Sequence, residues 1–186
     1  MDLNRVSVGK APPWDVNVVI EIPVRSEPVK YEVDKDSGAL YVDRFLHTAM
    51  YYPANYGFIP HTLSGDGDPV DVLVVGQMPV ISGAILRSRP VGVLLMEDEA
   101  GRDEKLLAVP VDQLDPFYSQ IRSYLDLPES LTQQIAHFFQ HYKDLEPGKW
   151  AKVIRWGGAD EAAALIVEGI ENARLAGLEK AGGAGA

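Results

Sequence analysis

The densest concentration of chemistry in the chain is Gly65-Asp66-Gly67-Asp68-Pro69-Val70-Asp71, where three carboxylates fall within six residues just ahead of an apolar strand. Like charges this close repel one another, so the arrangement is costly unless a cation sits among them. Carboxylate oxygens are hard ligands that suit Mg²⁺, Ca²⁺ or Mn²⁺. Gly65 and Gly67 permit a tight turn, and Pro69 stiffens its exit. An EF-hand does not account for the pattern. A loop begun at Asp66 would need an oxygen ligand, a glycine and a glutamate at its fifth, sixth and twelfth positions, where the chain has Val70, Asp71 and Gln77. A second acidic cluster runs from Glu97 to Glu104, ends at Lys105, and joins two apolar strands. Each cluster alone also reads as a solvated turn. Their recurrence beside apolar strands is what suggests two loops meeting at one end of a barrel to hold several divalent ions.

A phosphate ligand would have to be bound by metals and side-chain cations. No Walker A sequence and no G-x-G-x-x-G is present, so a backbone cradle is not expected. Lys30, Arg44, Lys105 and Lys143 are the candidate cations. Tyr52 and Tyr56 flank Pro53-Ala54-Asn55, and Tyr142 adjoins Lys143. Their phenols can donate to phosphate oxygens, or they can serve as core aromatics. No nucleophilic triad stands out, since Ser64 has no histidine at an instructive spacing. His137 and His141 are four residues apart on a predicted helix, but Phe138 breaks the H-E-x-x-H pattern. A surface or interface pair is the reading.

The elements that must position these groups follow from composition and period. The chain has 186 residues, 46% of them apolar, and a net charge of −10 from 27 acids against 17 bases. That length and balance predict one globular domain. Cysteine is absent, which excludes disulfides and thiolate chemistry. No apolar run reaches membrane-spanning length, and residues 1–5 lack the apolar core of a signal peptide, so a cytoplasmic location is expected. The acidity argues against nucleic-acid binding. Strands are predicted at 16–22, 29–33, 70–75, 85–96 with a break over 87–90, 106–109 and 150–156, with a turn at 36–38. Short strands separated by Gly and Pro turns indicate an antiparallel barrel or sandwich. Ile135, Phe138, Phe139 and Tyr142 share a helical face within a helix predicted from about 128 to 142, and a second helix is predicted over 160–178. The Gly/Ala tail at 179–186 is predicted to be disordered.

Taken together, the residues resemble the soluble family I inorganic pyrophosphatases of bacterial type. The segments that carry the resemblance are Glu21-Ile22-Pro23, Lys30-Tyr31-Glu32, Asp43-Arg44, Tyr52-Pro53-Ala54-Asn55-Tyr56-Gly57 and Asp66-Gly67-Asp68-Pro69-Val70-Asp71-Val72. Asp98-Glu99, Asp103-Glu104-Lys105, His137-Phe138-Phe139 and Tyr142-Lys143 continue the series in the family's order, and the match covers about residues 3 to 175. The resemblance implies an α+β, mainly β fold: a five-stranded OB-like antiparallel barrel with two main helices packed outside, in a single domain over 1–178. It implies hydrolysis of inorganic pyrophosphate to two phosphates by a hydroxide bridging Mg²⁺ ions, with Mn²⁺ or Zn²⁺ as substitutes. Asp66, Asp71 and Asp103 would hold one Mg²⁺, with Asp71 shared by a second. Asp98 and Asp103 would bind further ions, as would Glu21 and Glu32 through water. Asp68 would be the general base. Lys30, Arg44, Tyr142 and Lys143 would grip the phosphates, and Tyr56 would donate a hydrogen bond near the nucleophile. Lys105, Glu99 and Tyr52 would support this set. Members of this length form homohexamers, which would place His137 and His141 at a subunit contact. Three rival functions are a non-catalytic divalent-cation-binding protein, an oligonucleotide-binding module and a phosphatase of larger esters. The first has no use for the Lys, Arg and Tyr set, and the second is opposed by the acidity.

Overall fold

The computed structural model describes residues 2–183. β1 (Val16–Ile22), β2 (Val29–Val33) and β3 (Leu40–Phe45) come first, followed by β4 (Asn55–Phe58) and β5 (Asp71–Val74). The long strands β6 (Ile85–Asp98) and β7 (Gly101–Pro110) form a hairpin. Helix α1 (Glu129–His141), strand β8 (Ala151–Gly158) and helix α2 (Ala159–Gly183) complete the chain. The tail expected from residue 179 falls on the end of α2 and on residues 184–186, which lie outside the described residues. No helix among the described residues is long and apolar enough to cross a membrane.

The main sheet has the order β1-β4-β5-β7-β6-β8, and β1 also pairs with β6. Strands β1, β4, β5, β7 and β6 therefore close into a five-stranded ring, with β8 added to the far half of β6. This is the expected barrel with two helices outside it. One pair departs from the antiparallel expectation: β5 and β7 run parallel, with Val72 opposite Leu106. Strand β6 is continuous through the break expected over 87–90. Its first part pairs with β1 and its second with β8, and the register shifts between Pro90 and Gly92. Pro90 is thus tolerated at a bulge, the place where a strand can carry it. Strands β2 and β3 form a separate two-stranded sheet.

Alternation along the ring strands sorts the core into two clusters. Leu73, Leu94, Leu107, Phe138, Phe139 and Tyr142 belong to one, with α1 packed on it. Val16, Val18, Val72, Leu106, Ala162 and Ile166 belong to the other, under α2.

Strand β4 is short and polar-looking because its backbone must lie against β1. A Cβ built on Gly57 would stand 1.9 Å from the Val19 carbonyl oxygen, a contact that no side-chain motion relieves. Gly57→Ala is expected to destabilise the fold by about 3 kcal/mol or more, in the upper range for single substitutions. Urea or thermal unfolding of the variant measures this, and a midpoint equal to that of the parent chain would contradict the close approach.

Candidate active site

The parallel β5–β7 pair sets the centre of the site. Its register brings Asp71, at the start of β5, beside Lys105 of β7, and Asp103 lies two residues before Lys105 on the same face. Lys105 Nζ stands 2.5 Å from Asp71 Oδ2 and 2.8 Å from Asp103 Oδ1. Tyr56 on the adjacent β4 places its hydroxyl 3.5 Å from the same nitrogen. Lys105, Asp103 and Tyr56 are all buried. Desolvation alone would lower the Lys105 pKa, but Asp71, then Tyr56 and Asp103, hold it well above the ordinary value. Desolvation raises the Asp103 pKa despite the nearby ammonium. Burial likewise raises Tyr56, reinforced by the Asp71 charge, so the phenol keeps its proton and remains a donor.

Two further ion-pair groups surround this centre. Past the end of α1, Lys143 Nζ lies 2.7 Å from Asp98 Oδ2 and 3.3 Å from Glu99 Oε1, while Lys149 reaches Glu99 at 2.9 Å. Desolvation opposes ionisation of Glu99, yet Lys149, a backbone N–H and Lys143 pull its pKa down to about 2. On the other flank Glu21 of β1 is buried, accepts the Val33 N–H at 2.8 Å and lies 3.6 Å from Lys35 Nζ. Lys35 is also 4.0 Å from Glu32. Lys30 pairs with Asp43 at 3.1 Å and Glu32 at 3.6 Å.

One small cavity of about 80 Å³ draws on these groups. Glu21, Lys30, Glu32, Lys35, Tyr56, Asp68 and Asp71 line it, with Phe58 and Pro69. Asp68 is exposed on the acid loop, which Gly67 turns through φ +94°. The Asp68 N–H donates to Asp66 Oδ1 at 3.0 Å. Asp66 itself lines a different cleft, with Arg102, Glu104 and Glu168. The structure therefore does not gather Asp66 with Asp71 and Asp103 on one point.

Arg44 lies apart from the cavity wall, its Nε 3.4 Å from Glu146 Oε1. Tyr142 is buried, stacked on Phe138 at 5.3 Å, and feels the charges of Lys105, Lys143 and Arg44. Tyr52 is buried between Tyr56 and Phe138, 5.3 and 4.7 Å away. Sequence reasoning assigned no role to Lys35, Asp43, Glu146 or Lys149. Each faces a site residue across a hairpin or from a remote loop, so only the β2–β3 register offered a signal, and only for Asp43.

The donor set suits a divalent cation: all its acids are carboxylates, and pairs of them converge on single ammonium groups. Among the described residues no three acids or imidazoles stand close enough together to hold a metal in this arrangement.

Residues 18–174 match the inorganic pyrophosphatase family. The chain belongs to that family. Inorganic pyrophosphatases of Caulobacter vibrioides and Rhodospirillum rubrum are 66% and 61% identical, over 89% and 91% of this chain and 94% and 95% of theirs. The crystal structure of an inorganic pyrophosphatase from Thermus thermophilus superposes with a TM-score of 0.88 at 42% identity, covering 94% of this chain and 99% of that one. An Anaplasma phagocytophilum structure titled inorganic phosphatase reaches a TM-score of 0.89 at 54% identity, over 91% of this chain and 99% of its own. As an inorganic pyrophosphatase the chain is an enzyme, a hydrolase of phosphoanhydride bonds.

Burial raises the pKa of Glu21 from 4.5 to about 7, against the Val33 N–H and Lys35, which lower it. Between those two values the folded protein binds more protons than the unfolded chain, so stability falls as pH rises through that window. In EDTA, Glu21→Gln should therefore be more stable than the parent at pH 8.5, with the gain shrinking toward pH 5. Urea midpoints across pH measure it; a difference that does not vary with pH would show that Glu21 ionises as freely folded as unfolded.

Proposed function

We propose that this family member is a cytoplasmic, Mg²⁺-dependent enzyme that hydrolyses inorganic pyrophosphate to two phosphates, with Asp68 as the general base. The observation that carries the residue roles is the small cavity itself. Asp68, Tyr56, Asp71 and Glu21 line it together with Lys30 of the β2–β3 hairpin. A non-catalytic cation-binding protein would need the acids alone. Here Lys30, Arg44, Tyr142 and Lys143 approach the acids from two other elements.

Asp71, Asp103, Asp66 and Asp98 are the residues that would hold the cations, with Glu21 and Glu32 contributing from the hairpin side. Mn²⁺ or Zn²⁺ could take the same oxygens. When bound, such ions offset the substrate's negative charge and lower the pKa of a coordinated water. The chain's own part is positioning and proton handling, which is most of what phosphoryl transfer asks of a protein. Asp68, exposed at the cavity wall, accepts the proton from the attacking water. Tyr56 keeps its proton and donates a hydrogen bond beside it. Arg44 can engage two phosphate oxygens at once, Lys30 and Lys143 act as point charges, and Tyr142 adds a hydroxyl donor. Glu99, paired with Lys143 and Lys149, fixes the acidic hairpin.

Self-association as a homohexamer belongs to the same proposal. The rings of His137 and His141 lie 4.7 Å apart on the outer side of α1, with His141 paired to Asp144 at 2.8 Å. Tyr51 is exposed and lines one cleft with His137. Light scattering on a gel-filtered sample should give six times the chain mass; a monomer would remove this part.

Phosphate release from pyrophosphate with Mg²⁺ should exceed release from a phosphomonoester and should stop in EDTA. Asp68→Asn should lower kcat by about 10²–10⁴, the range for general-base catalysis. Near-normal turnover at every pH would remove Asp68 from that role. Lys143→Ala should weaken phosphate binding, and unchanged KM and kcat would set aside its grip on the substrate.

A further inference from the structure

Four lysines of the site each face two carboxylates. Lys105 joins Asp71 to Asp103, Lys143 joins Asp98 to Glu99, Lys35 joins Glu21 to Glu32, and Lys30 joins Glu32 to Asp43, which holds it at 3.1 Å. The first two are buried and make hydrogen-bonded contacts. Lys35 differs in each respect. Its side chain is 37% exposed, its distances to Glu21 and Glu32 are 3.6 and 4.0 Å, and its ammonium rests 4.3 Å above the Phe58 ring. It sits in the turn between β2 and β3, on the small sheet that stands apart from the barrel. It also lines the cavity that holds Asp68, Asp71 and Tyr56.

We propose that Lys35 is an internal counter-ion that competes with the divalent cation for Glu21 and Glu32 and shifts to the substrate's phosphates when pyrophosphate arrives. The proposal rests on the reading of Glu21 and Glu32 as acids that serve a cation. Glu21 already spends one oxygen on the Val33 N–H, and its side chain is buried. An ammonium and a divalent ion within about 4 Å of the same carboxylate repel each other strongly at the low effective dielectric of such a site. One must yield. Lys35 is the group that can, because its contacts exceed hydrogen-bond length, its side chain reaches solvent, and its other partner is an aromatic face that tolerates sliding. A polyanion in the same cavity offers the displaced ammonium a new partner. Cation binding at this pair and pyrophosphate binding are then linked, and each must strengthen the other equally. Lys35 is in these terms a positioning residue whose charge changes sides.

The test is calorimetric titration of Mn²⁺ into the full chain at pH 8.5, without pyrophosphate and then with imidodiphosphate, a non-hydrolysable diphosphate. Lys35→Met should bind Mn²⁺ about three- to tenfold more tightly than the parent when no diphosphate is present, as removal of one nearby like charge requires. Imidodiphosphate should tighten Mn²⁺ binding less in this variant than in the parent. Lys35→Arg, which keeps the charge, should behave as the parent, and Lys35→Gln is a second neutral variant if the methionine variant folds poorly. Equal or weaker Mn²⁺ binding in both neutral variants overturns the proposal. The double variant Glu21→Gln, Glu32→Gln separates the two readings. If it binds Mn²⁺ as the parent does with and without imidodiphosphate, the cation role of these acids fails and the proposal falls with it. If it weakens Mn²⁺ binding while the Lys35 variants change nothing, the Lys35 proposal alone fails.

Discussion

Asp71 and Asp103 can share one buried region only because Lys105 lies between them. Asp103 is buried and Asp71 partly so; two carboxylates turned to one point repel, and a buried ion without a partner is among the costliest features a fold can carry. The ammonium, 2.5 and 2.8 Å from the two acids, turns a repulsive pair into a triad with net charge −1. That arrangement depends on backbone direction. In the parallel β5–β7 pair, Asp71 at the mouth of β5 lies level with Lys105, and the period of two along β7 puts Asp103 on the same side. Tyr56 enters from β4 because β4 pairs with β5, with Tyr56 opposite Leu73. Three neighbouring strands of the ring therefore deliver the base of the site, and closure through β1 and β6 keeps their order.

The barrel supplies acids, and two attachments supply cations. The β2–β3 hairpin carries Lys30, Lys35 and Arg44, while the segment after α1 carries Tyr142, Lys143 and Lys149. These attachments meet at Arg44 and Glu146, whose Nε and Oε1 are buried and 3.4 Å apart but lack hydrogen-bond geometry. His47 and the Leu145 carbonyl approach at 3.5 Å beside them. A charge pair held at this range orients the guanidinium without consuming its Nη donors. The cations are thus steered by remote carboxylates, and the acids by lysines, so that neither set is placed by its own strand alone.

This mutual placement decides how much could be read from the chain. The bounds of β1 and β2 were legible because β-branched runs end at a proline or a turn, and α1 because its aromatic residues recur at helical spacing. Strand β3 was not, since Leu40, Tyr41 and Val42 are exposed on a two-stranded sheet and show no buried alternation. Nor was β4, where Asn55 and Gly57 lower strand propensity for reasons that lie in β1. The apparent break in β6 came from Arg89 and Pro90. Arg89 is in fact buried and donates to the Tyr118 carbonyl at 2.6 Å, a partner 29 residues away. In the site, acids announce themselves as local density along the chain. Lys35, Glu146 and Lys149 carry no such signal, because single charged residues in turns are ordinarily solvated and their partners here are remote. The family resemblance pairs Lys105 with the acidic cluster, but does not put Asp66 on a separate cleft wall.

The chain's net charge of −10, taken by itself, disfavours a polyanionic substrate. The ion pairs sharpen the problem, since lysines committed to carboxylates have little charge to offer a phosphate. Under the proposed function the same fact becomes the means of selectivity. A divalent cation at the acids would take over the lysines' task and return their charge to the cavity, so the site would present its full positive potential only when loaded. An anion of modest charge would gain little from that exchange, whereas a compact diphosphate could use both the returned ammonium groups and the cations at once. The acids that make the empty site repulsive are then what make the loaded site specific.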